Sequence, residues 1–128
     1  MTGFTLSARS LKALAGVHPD LVRIVRRAIA LTPVDFVVIE GLRTSARQAQ
    51  LVAAGASRTM NSRHLTGHAV DVAPMVGREI RWDWPLYRQL APAFKQAAAE
   101  AAIPLVWGGD WKKFVDGPHF ELDRRMYK

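Results

Sequence analysis

Apolar positions switch between two periods along the chain, and the switches mark its elements. Leu21, Ile24, Val25, Ala28 and Ile29 recur at the spacing of one helical face. Pro19 suits the first turn of that helix, and Thr32-Pro33 ends it. His18, just before, reads as a helix cap or surface residue. Phe36 to Glu40 is rich in β-branched residues and predicts a strand, which Gly41 stops. Thr44 can cap a helix through about Ala54, with Gly55 just past its end. Residues 56–63 are a polar loop, and Ala69 to Ala73 a short strand closed by Pro74. Asp83 can cap a long helix from Trp84 to about Ala102, with Pro85 in its first turn and Leu86, Leu90, Ala93, Phe94, Ala97 and Ala101 on its buried face. Pro104 to Trp107 and Pro118 to Leu122 complete the strands, with a turn at Gly108-Gly109-Asp110 between them. The order is helices, strand, helix, strand, helix, strand, strand. Its connections are too irregular for a doubly wound parallel sheet. They fit an α+β class, a small and mainly antiparallel sheet with helices packed on one side. No repeat or linker interrupts residues 1–128, which read as a single domain.

Composition narrows the chemistry. The chain has no cysteine, which excludes disulfides, thiolate metal sites and a thiol nucleophile. No apolar run approaches the roughly 20 residues of a membrane span, so stable membrane insertion is not expected. The start, Met1-Thr2-Gly3-Phe4, has neither the basic nor the apolar region of a secretory signal. A net charge of +7 favours an anionic partner such as nucleic acid, lipid head groups or cell-wall polymer. The arginines are scattered and no groove-reading motif is present, which argues against nucleic acid. Nothing suggests more than a monomer.

The residue most out of character is Asp71, a carboxylate between Val70 and Val72 in a predicted strand. A buried carboxylate needs a metal, a cation or several hydrogen bonds. Taken alone, backbone hydrogen bonds or an arginine partner would satisfy it. Strand alternation puts Asp71 on one face with Ala69 and Ala73, and a turn at Thr66-Gly67 can fold His64 over that face. His119 is also mid-strand. Two imidazoles and a carboxylate make a three-ligand set for Zn²⁺ with the fourth position left for water. Asp116, beside Gly117, is placed to serve as general base and acid; Asp-Gly-Pro is equally good turn chemistry. Glu121 shares the strand face of His119 and could orient its ring, whereas alternation points His68 away from Asp71. The tryptophans read as core and rim packing, with Trp107 or Trp111 able to line a cleft. Arg124, Arg125 and Lys128 read as a solvated basic tail.

The segment Ser62-x-His64-x-x-Gly67-x-Ala69-x-Asp71, followed by Asp116-x-x-His119, resembles the zinc D-alanyl-D-alanine carboxypeptidase and phage endolysin peptidase family, whose fold is shared by the Hedgehog signalling domain. Asp35-Phe36 through Gly41-Leu42-Arg43-Thr44, then Gln48, and Trp107-Gly108-Gly109-Asp110-Trp111 extend the resemblance over nearly the whole chain, about Leu6 to Leu122. It implies that His64, Asp71 and His119 hold zinc and that Asp116 is the acid/base. It further implies that Arg43 binds substrate and stabilises the oxyanion, and that Ser62 hydrogen-bonds substrate. The implied activity is cleavage of the peptide stem of bacterial peptidoglycan. The endolysin branch, which cuts the L-alanyl-D-glutamate bond to lyse a phage host, is the closer likeness. D-alanyl-D-alanine carboxypeptidase or dipeptidase activity is the alternative, and a non-enzymatic binding domain on the same fold a third. An endolysin of this kind would be made in the host cytoplasm and reach the wall after holin-type release.

Overall fold

A computed structural model of the chain describes residues 3–57 and 59–128. Met1 and Thr2 of the N-terminal segment, and Arg58 of the polar loop, lie outside the described residues. In chain order the elements are α1 (Ala8–Ala13), α2 (Pro19–Leu31), β1 (Asp35–Glu40), α3 (Ser45–Ala53), β2 (Ala69–Val76), β3 (Glu79–Ile80), α4 (Trp84–Ala101), β4 (Leu105–Trp107) and β5 (His119–Leu122). Short 3₁₀ turns occupy Arg63–Thr66 and Gly108–Asp110. The strands form one antiparallel sheet in the order β1-β2-β5-β4, with β3 hairpinned onto β2.

The capping chemistry largely follows the sequence. The Thr44 side chain accepts from Arg47 N at 3.1 Å, and His18 Nδ1 accepts from Asp20 N at 3.1 Å, each closing an orphan donor at a helix start. Asp83 differs from expectation: its carboxylate turns to Arg81 at 2.7 Å and makes no cap hydrogen bond. β2 also runs past Pro74 to Val76. Pro74 falls between the stretch of β2 that pairs with β5 (residues 69–71) and the one that pairs with β3 (residues 75–76), where its missing N–H interrupts neither ladder. Helix α4 tolerates Pro92 because that residue lies on its exposed face, where water can reach the unpaired carbonyl.

Period-two alternation divides the sheet into two unlike faces. Phe36, Val38, Val70, Val72, Phe120 and Leu122 point into a core shared with Leu21, Ile24, Val25 and Ala28 of α2 and Leu90, Phe94 and Ala97 of α4. Phe94 stacks on Phe120 with centroids 4.1 Å apart and meets Phe36 at 5.1 Å. The opposite face carries Asp71, His119 and Glu121. Helix α1, which the pattern did not resolve, serves edge strand β1: buried Ser10 accepts the Val38 N–H at 2.9 Å and the Ser7 hydroxyl at 3.1 Å.

Ser10→Ala should therefore leave the Val38 N–H buried without a partner and lower unfolding free energy by about 1–3 kcal/mol. A urea titration that shows no change would mean that α1 does not anchor the strand edge.

Candidate metal centre and catalytic site

The register of the sheet builds the site. Asp71 on β2 lies directly opposite His119 on β5. On its other side Asp71 is opposite Glu40 of β1, because a bulge between Val38 and Glu40 skips Ile39. Without that bulge Ile39 would face Asp71, and Glu40 would point into the core. Three polar side chains thus form a row across three strands, on the face away from α2 and α4.

His64 arrives from outside the sheet. Ser62 Oγ accepts from His64 N at 3.2 Å and starts the 3₁₀ turn, and Gly67 ends it at φ 75°. A Cβ at Gly67 would also lie 2.6 Å from the Gly16 carbonyl, so this turn requires glycine on two counts. The turn brings His64 Nε2 to 3.2 Å and leaves His119 Nδ1 at 3.3 Å from the same oxygen, Asp71 Oδ1. One donor atom from each of the three residues lies within 4.8 Å of the others.

The donor set fits a cation. His64 Nδ1 sits 2.8 Å from the Gly41 carbonyl, which can only accept, so the ring proton is there and Nε2 presents a lone pair. That Nε2 is buried without a hydrogen-bond partner although a carboxylate oxygen is 3.2 Å away. Two acceptors facing each other in a buried place are stabilised by a positive ion between them. On the other ring, His119 Nε2 is 2.8 Å from Glu121 Oε1, which leaves Nδ1 for the ion and fixes the ring plane. Burial disfavours a charged His119, but contact with Asp71 and Glu121 outweighs it and pushes the ring up to about 9. Burial likewise opposes ionisation of Asp71, yet the neighbouring imidazoles, His119 first, outweigh it and hold its carboxyl below the usual range. These are surroundings that favour positive charge at the centre of the triad.

Arg43 is buried beside the triad. Its Nε and Nη2 make a fork on Glu40, at 2.8 and 2.7 Å, and its Nη1 donates to Gln48 at 2.7 Å. Nη2 also lies 3.5 Å from Asp71. Three of its five N–H groups are thereby committed to Glu40 and Gln48. Gln48, fully buried, passes the tether on to the Ser57 hydroxyl and the Thr59 carbonyl. Neither Glu40 nor Gln48 was assigned these tasks in the sequence; for Glu40 the faint available signal was a glutamate three residues before an arginine at a strand end, and Gln48 entered only as part of the family match.

A cleft of about 790 Å³ opens over this face, and Arg43, Ser62, His64, Asp71, Asp116 and His119 all line it. Burial, then the charge of Asp71, raise the Asp116 carboxyl above its ordinary range, against the pull of His119, His64 and Arg43. Trp111 lines the cleft 5.2 Å from the His119 ring, whereas Trp107 is buried beneath it. His68 stays outside the triad, against Thr66 at 2.6 Å. Arg124 is not merely solvated: it lines the cleft and pairs with buried Glu121 at 3.1 Å, because Glu121 has a second oxygen to satisfy after His119 takes the first. Arg125 pairs in the same way with Asp123.

A family model for phage L-alanyl-D-glutamate peptidase matches residues 2–124. Over 128 residues the chain is 39% identical to the L-alanyl-D-glutamate peptidase of Escherichia phage T5, covering 97% of this chain and 93% of that protein. It is 37% identical over 94 residues to the L-alanyl-D-glutamate peptidase of Listeria phage A118, covering 73% of this chain and 32% of that protein. Among solved structures, Serratia marcescens L-Ala D-Glu endopeptidase ChiX matches with a TM-score of 0.91 at 52% identity, covering 96% of this chain and 92% of ChiX. The vancomycin-resistance D,D-dipeptidase VanXYg shares the fold alone, with a TM-score of 0.56 at 16% identity, over 83% of this chain and 50% of that one.

If Glu121 orients His119, Glu121→Ala should weaken metal binding about 10- to 100-fold. Competition against a chelator of known affinity reads this directly, and unchanged affinity would remove Glu121 from the site.

Proposed function

Because the chain belongs to the phage L-alanyl-D-glutamate peptidase family, we propose that it is a zinc-dependent endopeptidase of bacterial peptidoglycan that cuts the L-alanyl-D-glutamate bond of the peptide stem, as a phage endolysin. The observation that carries the metal half of this reading is the lone pair of buried His64 Nε2, aimed at a partly buried carboxylate oxygen of Asp71. His64, Asp71 and His119 would hold the ion, leaving its remaining positions open to the cleft. Zinc, when bound, supplies Lewis acidity that polarises the scissile carbonyl and acidifies water.

The chain's own groups supply the rest. Asp116 takes the proton of the attacking water and delivers it to the leaving amine. A carboxyl raised by burial and by Asp71 suits a group that must hold a proton between two steps. The N–H groups of Arg43 not engaged by Glu40 and Gln48 face the developing oxyanion. Since the fork is already clamped, little reorganisation accompanies the reaction. Ser62, at the cleft wall, offers its hydroxyl to substrate while its oxygen caps the turn of His64. The +7 charge favours approach to anionic wall polymer. Among the described residues no helix is long and apolar enough to cross a membrane. Synthesis in the host cytoplasm followed by holin-type release, and action as a monomer, complete the proposal.

Digestion of purified peptidoglycan followed by mass analysis should reveal a new L-alanine carboxyl and a new D-glutamate amine, and a chelator should abolish both. Release of D-alanine instead would replace this reading with the carboxypeptidase one. Asp116→Asn should keep full metal occupancy while turnover falls about 100- to 10,000-fold; a fully active variant would put the general base elsewhere.

A further inference from the structure

The segment that leads to Asp116 is exposed. Lys112, Lys113, Phe114 and Val115 are all exposed, and Phe114 adopts φ 53°, a conformation unfavourable for a bulky side chain. Such a segment is expected to be among the first to open. Yet the two residues that matter, Asp116 and Gly117, are gripped from below by a neighbouring stretch. The indole Nε1 of Trp107 donates to the Gly117 carbonyl at 2.7 Å, and Asp116 N donates to the Gly108 carbonyl at 3.0 Å. Gly108 also sets the spacing, because a Cβ there would lie 2.4 Å from the Asp116 carbonyl oxygen and 3.1 Å from His119 Cβ. Gly109 leaves room for the grip itself, since a Cβ on it would lie 2.2 Å from the Trp107 ring. Trp107 in turn is held by Phe120 and Trp84, with ring centroids 6.3 and 6.4 Å away, and is buried.

We propose that Trp107 is a positioning residue for Asp116, its indole N–H fixing the Asp116-Gly117 backbone so that the carboxylate stands at one distance from the triad. The inference rests on the endopeptidase reading above and adds to it the cause of Asp116's placement. An apolar ring would fill the same space; only the N–H distinguishes tryptophan here. A misplacement of about 1 Å in a catalytic group can cost a hundredfold in rate.

The experiment uses the full-length zinc-loaded protein and a soluble muropeptide containing the L-alanyl-D-glutamate bond. For Trp107→Phe the expectation is a ten- to hundredfold fall in kcat, KM within twofold, unchanged zinc stoichiometry, and faster amide exchange at Asp116 than in the wild type with no change at Asp71. A second variant carries benzothienylalanine at position 107, which keeps both rings and replaces the N–H by sulfur. It isolates the hydrogen bond if phenylalanine leaves a cavity that unfolds the protein, and the same split is expected. A folded variant of either kind with wild-type kcat overturns the proposal. So does one in which zinc, KM and kcat are lost together, since that is the signature of general packing. A wild-type protein that leaves the L-alanyl-D-glutamate bond intact overturns the endopeptidase reading and this inference with it, whereas fast variants beside an active wild type overturn only the positioning role.

Discussion

Asp71 places a carboxylate in an inner strand of a sheet, between two valines that point into the core, and the surrounding polar structure answers to that charge. A buried ion costs several kcal/mol unless it is matched. Here it is matched from three directions: His119 across one ladder, Arg43 through Glu40 across the other, and His64 from above. Each partner is itself tied down. Glu121 holds the His119 ring, the Gly41 carbonyl holds the His64 ring, and Glu40 with Gln48 holds the Arg43 fork. Each of the three partners that face Asp71 is thus held by at least one further hydrogen bond to the scaffold.

The division of labour between the sheet faces makes this possible. One face is given to apolar packing against α2 and α4. The other is then free to concentrate charge. The bulge at Ile39 is the hinge between the two tasks, since it moves a glutamate from what would be the core side to the site side of an otherwise alternating strand. Small residues at Ala69 and Ala73, flanking Asp71 on the same face, leave room for ligands that reach in from loops.

In the proposed reaction, metal binding and proton handling fall to different kinds of element. The triad comes from strands and a short turn, elements fixed by backbone hydrogen bonds. Asp116 follows an exposed segment, and its backbone is held by the Gly108 carbonyl while Trp107 holds the carbonyl of Gly117. Arg43 is intermediate: it follows the end of β1 yet is buried and clamped, as the proposed oxyanion role requires.

The helices α2, α3 and α4 and the strands β1, β2, β4 and β5 were legible in the sequence because each obeys a local rule: a 3.6 or 2.0 period, a threonine cap, a proline at a first turn. The ligand candidates were legible for the opposite reason, as polar residues breaking an apolar pattern at Asp71 and His119. Helix α1 and hairpin strand β3 were too short to show a period. Asp83 looked like a cap and instead pairs with Arg81, since the exposed guanidinium competes with the helix N–H groups for the same carboxylate. The Ile39 bulge, the tether from Arg43 through Gln48 to the Ser57–Thr59 loop, and the pairing of Arg124 with Glu121 rest on contacts between elements. Residue order along a chain fixes periodicity and local turns. Strand register, and the side chains that register brings face to face, come into being only when distant segments pair.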